Sequence, residues 1–174
     1  TFVDFDPNVS PEQKVDGVTP SFAAPGVGIE KNADGTFTAK TGMVAQVLDA
    51  TGNSVKAYTS LADAIAAAAA GQTVRLLANA KEDVEINKNI TLDLGGKTLT
   101  NTGAGKATIT IANGATATVK NGSVVGGAKY YNIAVGTAVN STANLTLVDV
   151  TATAGNTGSS MVDNWGTLTI ESGT

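Results

Sequence analysis

The feature that most restricts this chain is a short segment that keeps returning. Ile90-Thr91-Leu92 is echoed by Ala117-Thr118-Val119, Leu145-Thr146-Leu147 and Leu168-Thr169-Ile170, at offsets of 27, 28 and 23 residues. A second series runs between them: Ile109-Thr110-Ile111, Ile133-Ala134-Val135 and Met161-Val162-Asp163, at offsets of 24 and 28. The first series alternates apolar and threonine positions, the period of a strand with one buried face. Turn residues punctuate the pattern at Gly95-Gly96, Asn113-Gly114, Asn121-Gly122, Gly126-Gly127 and Ser172-Gly173. Each period therefore holds two or three strands of about four residues, joined by Gly/Asn corners.

Strands this short cannot build a sandwich of ordinary width, but they can form the sides of a coil. When each winding stacks on the one before, every strand pairs in parallel with its equivalent one period away. Small and β-branched residues fill the narrow interior, outward threonines form ladders, and corners take Gly or Asn. The expected fold is all-β, a parallel β-helix whose coils run over 81–174. An antiparallel sandwich or meander is the alternative, but its hairpins would need no register over so long a period. The chain stops at GTLTIESGT inside the pattern, and further coils are expected to follow.

Residues 43–80 read as a hairpin and a helix. MVAQVLDATGNSVKAY alternates on both sides of Thr51-Gly52-Asn53, a hairpin signal. SLADAIAAAAAG predicts a helix over 60–70, with Ser60 as N-cap, Asp63 in a capping-box-like position and Gly71 at C′. Leu61 and Ile65 share one face, and QTVRLL returns to strand. A β-helix has an open edge at its first coil, and this helix is assigned as its cap.

Residues 1–42 differ in kind. All four prolines (Pro7, Pro11, Pro20, Pro25) and all four phenylalanines (Phe2, Phe5, Phe22, Phe37) lie within them. Proline at this density suppresses helix and central strand, so an extended arm is expected. Phe2, Phe5, Phe22 and Phe37 are read as anchors that dock on another subunit or a larger assembly. Folding back along its own domain is the other choice. NADGTF at 32–37 carries an Asp-Gly turn signal for a small hairpin. The opening TFVDFDPN has neither a basic n-region nor an apolar h-region, so a signal peptide was either removed or never present.

Composition removes several chemistries. The chain has no Cys and no His, which excludes disulfides, thiolate sites and the usual general base. Net charge is −4 with scattered basic residues, so no nucleic-acid partner is expected. The apolar run at 64–70 is too short for membrane insertion. Aligned coils place Asp93, Lys120, Val148 and Glu171 in one row, a surface charge ladder and not an acid pair. The next row carries Leu94, Asn121, Asp149 and Ser172, with one carboxylate, while Asp163 stands alone. Arg75 precedes the coils with no acid cluster expected beside it. The stretch Lys81-Glu82-Asp83 with Glu85 could hold calcium but reads better as a solvated loop. No catalytic residue, cofactor or metal is therefore expected. Tyr130, Tyr131 and Trp165 are the aromatics of the coil region and the candidate carbohydrate contacts. Gly103-Ala104-Gly105 lacks the following helix that a phosphate loop requires.

The stretch YTSLADAIAAAAAGQTVRLLANAKEDVEINKNITLDLGGKTLT resembles the opening of right-handed, pectate-lyase-like β-helix domains of bacterial surface proteins and phage fibres. Their pattern is Y-x-S-L-x-x-A-I, then G-x-T-V/I-x-L-L, then V-x-I-x-K-x-I-T-L-D-L-x-G-x-T-L. It is met here by Tyr58, Ser60, Leu61, Ala64, Ile65, Gly71, Thr73, Val74, Leu76 and Leu77. The match continues through Val84, Ile86, Lys88, Ile90, Thr91, Leu92, Asp93, Leu94, Gly96, Thr98 and Leu99. The resemblance implies a right-handed coil and a non-catalytic fibre or adhesive stalk. The arm would hold it to a capsid, a tail or another surface assembly. The setting is then a virion surface, with a secreted bacterial cell-surface adhesin as the alternative. A polysaccharide lyase or hydrolase with its active site downstream is a second alternative. Many such fibres are trimers, which implies a homotrimer, with host-surface glycans as further partners.

Overall fold

A computed structural model describes residues 2–3, 25–128, 131–155, 160–171 and 173. Near the N-terminus, β1 (Phe2–Val3), β2 (Gly28–Lys31) and β3 (Thr36–Lys40) form a small antiparallel sheet with β3 in the centre. The hairpin predicted from NADGTF is therefore present. It is also part of the folded body, while residues 4–24 of the arm expected over 1–42 lie outside the described residues. Ile29 and Phe37 are buried, and the Ile29 N–H donates to Gln46 Oε1 at 3.1 Å. Gly28 can lie against the next hairpin because a Cβ there would collide with the Ala57 side chain.

That next hairpin is β4 (Ala45–Leu48) and β5 (Ser54–Tyr58), paired antiparallel as the sequence predicts. Asp49 organises its turn: Oδ1 accepts from the Thr51 and Asn53 N–H groups and from the Thr51 hydroxyl. Helix α1 (Leu61–Ala67) follows, with the Ser60 Oγ accepting from the Asp63 N–H at 3.3 Å. The helix is shorter than the predicted 60–70. Ala68 already has extended backbone, and Gly71 sits in a following turn instead of at C′. Lys88 closes this end by donating to the carbonyls of Ala66 and Ala68 at 2.9 and 3.0 Å. A cation at the negative end of a helix suits the dipole.

The remaining strands are β6 (Thr73–Leu76), β7 (Ala80–Lys81), β8 (Val84–Ile86), β9 (Ile90–Asp93), β10 (Thr98–Thr100) and β11 (Ile109–Ile111). They continue with β12 (Thr116–Val125), β13 (Ile133–Val135), β14 (Asn144–Thr153), β15 (Val162–Asn164) and β16 (Thr167–Ile170). One sheet runs β16-β14-β12-β9-β6-β4-β5, and a facing one runs β15-β13-β11-β8. Among the strands β6 to β16 every pairing is parallel, and the chain is a β-solenoid of about three turns. The registers Val119↔Leu92, Val119↔Leu147 and Leu147↔Ile170 reproduce the first repeat series.

Side-chain alternation explains the core. Leu92, Val119 and Leu147 form one inward column, each 2% exposed or less, beside the column of Ile90, Ala117 and Leu145. The helix adds Leu61, Ala64 and Ile65 to the same core, which closes the first winding. The cap is composite, because β4 and β5 extend the large sheet antiparallel at that end.

The corners also follow from residue type. β12 and β14 each bend midway, where Asn121 and Asp149 take φ of 58° and 54°. Asn and Asp tolerate this left-handed conformation better than other side-chain-bearing residues. At the next corner Asn132 lies buried and donates to the carbonyls of Val124 and Thr153. Gly126 is required there, since a Cβ would strike the Asn132 side chain.

The second repeat series needs one correction. Ile133 pairs with Val162 and not with Met161, a shift of one residue. The Met161 carbonyl accepts from the N–H groups of both Asn132 and Ile133, which absorbs the extra residue. Val162 thereby packs on the core, and Met161 is left 42% exposed. A one-residue slip exchanges the two faces of a strand.

Candidate functional site

The proposed arm anchors separate on inspection. Phe37 is 7% exposed and packs within the chain, so its ring is not available to a partner, a correction to its reading as an anchor. Its burial follows from pairing at the centre of the small sheet, with Lys31 on one side and Phe2 on the other. Phe2 lies in β1; Phe5 and Phe22 fall outside the described residues.

The aromatic candidates do not converge either. Tyr130 lies outside the described residues, and Tyr131 is half-buried just before β13. Trp165 follows the C-terminal end of β15, the parallel neighbour of β13, while Tyr131 precedes the N-terminal end of β13, so the two residues flank opposite strand ends. Trp165 is nevertheless a held, solvent-facing ring. It is 45% exposed, its backbone N–H donates to the Val135 carbonyl, and its indole N–H donates to Asp163 Oδ2 at 3.0 Å. An exposed ring beside a carboxylate can stack on an apolar sugar face and bond a hydroxyl.

The carboxylates have structural partners. Asp93 and Lys120 are adjacent as the coil alignment required. Yet Asp93 is 5% exposed, and its charge partner is Arg75, whose Nε lies 3.2 Å from Oδ2. Asp93 Oδ1 also accepts from the Gly95 N–H and the Asn121 side-chain amide, at 3.0 and 3.2 Å. Arg75 therefore has a single acid, Asp93, beside it. β6 pairs in parallel with β9, which sets Arg75 against Asp93.

The acidic stretch is likewise more than a solvated loop. Glu82 reaches the start of α1, where its oxygens accept from the Leu61 and Ala62 N–H groups at 2.8 and 3.0 Å and from the Ser60 hydroxyl at 3.1 Å. Asp83 accepts from the Thr102 N–H and hydroxyl one winding on, while Glu85 is exposed. Among the described residues no three His, Cys, Asp or Glu side chains are grouped to hold a metal ion. No helix among them is long and apolar enough to cross a membrane.

Two consequences are measurable. Glu82→Ala leaves the N-terminal amides of α1 without their carboxylate and is expected to cost about 1–2 kcal/mol in denaturant unfolding. At Asp49, slight burial pushes the carboxyl up, but bonds from the Thr51 hydroxyl and from Asn53 and Thr51 N–H groups outweigh it and hold the group below its ordinary value. Its contribution is then present above that ordinary value and lost as pH falls through the folded one. The stability difference between the native chain and Asp49→Ala is expected to be full at neutral pH and to shrink in acid. Urea midpoints at pH 7 and at about pH 2.5 measure it.

No family model, no curated protein and no solved structure matches this chain. The class that the fold defines is a β-solenoid with a composite N-terminal cap.

Proposed function

We propose that this chain is a non-catalytic structural and adhesive fibre element. In this reading a rigid solenoid shaft projects from an assembly held by the residues ahead of β2. The observation that carries it is the unbroken parallel ladder from β6 to β16, with matching side chains in vertical register. Stacked windings share one core and one hydrogen-bond network, so bending the rod strains every layer at once. Outward threonines in the same register, such as Thr91, Thr118, Thr146 and Thr169, give it a polar surface without loops. The coil winds right-handed, as parallel strand-to-strand connections nearly always do.

Anchoring falls to the segment containing Phe2, Phe5 and Phe22, since Phe37 is committed to the fold. The assembly is a virion, with a bacterial cell surface as the alternative. Trp165 carries the adhesive part of the reading, as the ring that faces solvent beside Asp163. The test is deletion of residues 1–24. The expected result is loss of particle or surface association with a solenoid that still folds by circular dichroism. Retained association would sink the anchoring role. For adhesion, quenching of Trp165 fluorescence by host-surface glycans is expected, and an unchanged spectrum across a glycan panel would remove that part.

A further inference from the structure

The corners that lead from the facing sheet into the large one differ in length. Between register-matched strands, the corner from β11 to β12 is 112–115, that from β13 to β14 is 136–143, and that from β15 to β16 is 165–166. The middle winding therefore carries an insertion. A winding lies on either side of it: the Gly136 N–H donates to the Ile111 carbonyl, and the Val135 and Ala143 carbonyls accept from Trp165 and Thr167. Its exposure is thus set inside the stack. Thr137, Ala138, Val139 and Asn140 are all exposed, Val139 by 69%. The Ser141 N–H donates to the Ala138 carbonyl at 3.2 Å, and Asn140 takes φ of 64°, which turns the chain back toward β14.

Asn140-Ser141-Thr142 is an N-x-S/T triplet, the acceptor pattern for N-linked glycans. The chain holds four others. Asn8-Val9-Ser10 lies outside the described residues. Asn89-Ile90-Thr91 runs into β9, Asn121-Gly122-Ser123 lies within β12, and Asn144-Leu145-Thr146 begins β14. Those three are held in the ladder. Asn89 accepts the Thr116 N–H, the Asn121 amide donates to Asp93, and the Asn144 amide donates to the Thr142 carbonyl. Of the four triplets among the described residues, only that of Asn140 stands outside any strand, and there the Asn140 side chain makes no hydrogen bond.

We propose that Asn140 is the N-glycan acceptor of the folded chain. The donor class is an oligosaccharide joined through pyrophosphate to a lipid. Asn140 Nδ2 forms a bond to the anomeric carbon of the first sugar. The bond from that carbon to the pyrophosphate oxygen breaks, and lipid pyrophosphate leaves with the electron pair. One Nδ2 proton passes to a base of the transferase. The glycan is then attached at a corner, away from the ladder, where its bulk does not disturb stacking.

Thr142 supplies the second recognition group, and it is latched. Its N–H and hydroxyl both donate to Asn113 Oδ1 of the preceding corner, at 2.7 and 3.0 Å, and the Ser141 hydroxyl donates to the same oxygen at 3.4 Å. Presenting this triplet to an enzyme means releasing one exposed side chain. Presenting the other three means opening strands shared by neighbouring windings. Such glycans are added to secreted chains, so an occupied Asn140 would favour the cell surface over the virion as the setting.

The test is transfer in vitro. The full folded chain, and synthetic peptides spanning each triplet, are incubated with a single-subunit oligosaccharyltransferase and a lipid-pyrophosphate-linked oligosaccharide. Glycopeptide mass spectrometry reads the occupancy of each site. In the folded chain Asn140 is expected to fill at least about tenfold faster than Asn89, Asn121 and Asn144, and in the peptides that preference should be lost. Thr142→Ala should abolish transfer to Asn140, Thr142→Ser should keep it, and Asn113→Ala should speed it about two- to tenfold. Absence of transfer to Asn140 in the folded chain would overturn the proposal. Equal filling of all four sites there, the same preference in the peptides, or transfer that survives Thr142→Ala would overturn it as well.

Discussion

Leu92→Ala is expected to lower the unfolding free energy by about 3–5 kcal/mol, read as a shift of the denaturant midpoint. Leu92 is fully buried, and its strand neighbours in register are Val74 on one side and Val119 on the other. Removing its isobutyl group loses the transfer free energy and leaves a hole bounded by three successive windings. Those walls are strands fixed in a ladder, so they cannot collapse far into the space. In a stacked array the damage also reaches neighbours, because each winding is stabilised chiefly by contact with the next. Thr91→Ala, one residue away on the outer face, should stay within about 0.5 kcal/mol. Equal losses at the two positions would mean that inward and outward faces are wrongly assigned.

Asp93→Ala carries the second large effect, an expected loss of about 2–4 kcal/mol. The carboxylate is nearly buried and serves three donors: Arg75, the Gly95 N–H and the Asn121 amide. Its removal leaves the guanidinium without its anion and one turn amide without an acceptor. Arg75 is still 24% exposed, so water recovers part of the loss, which keeps the figure below that of a fully enclosed pair. The double variant Arg75→Leu with Asp93→Ala should recover stability relative to Asp93→Ala alone. A double-mutant cycle with no coupling would remove the ion pair from the account.

What was legible in the sequence was whatever rests on side-chain period. The offset of 27 between Ile90 and Ala117, and of 28 from there to Leu145, maps onto observed pairings residue for residue, because a misplaced winding would turn apolar residues outward. The N-cap at Ser60 and the hairpin turn around Thr51-Gly52-Asn53 were likewise local chemistry. Less legible were contacts made across windings by single polar side chains. Glu82 caps a helix twenty residues upstream, and nothing periodic marks it. The Arg75–Asp93 pair could have been found by extending the alignment one strand earlier, since Val74 pairs with Leu92 just as Val119 does. The slip at Met161 was hidden because Met and Val are both apolar, and only the shared Met161 carbonyl reveals which one faces inward. Phe37 misled for a related reason: proline density suggested a detached arm, but the Pro-free stretch 28–40 has its own hairpin and buries its ring.

The in-register stacking itself is tested most directly by nitroxide labels on Thr91 and Thr146. Both lie on the outer face of the large sheet, two ladder steps apart through Thr118. Strand spacing puts them about 10 Å apart, close enough for strong dipolar broadening in a frozen solution spectrum. Moving one label from Thr146 to Thr118 should bring the pair to a single step and broaden the lines further. Labels at Thr91 and Thr146 that show no broadening, as at separations beyond about 20 Å, would mean that these segments do not stack three strands deep, and the solenoid would have to be abandoned.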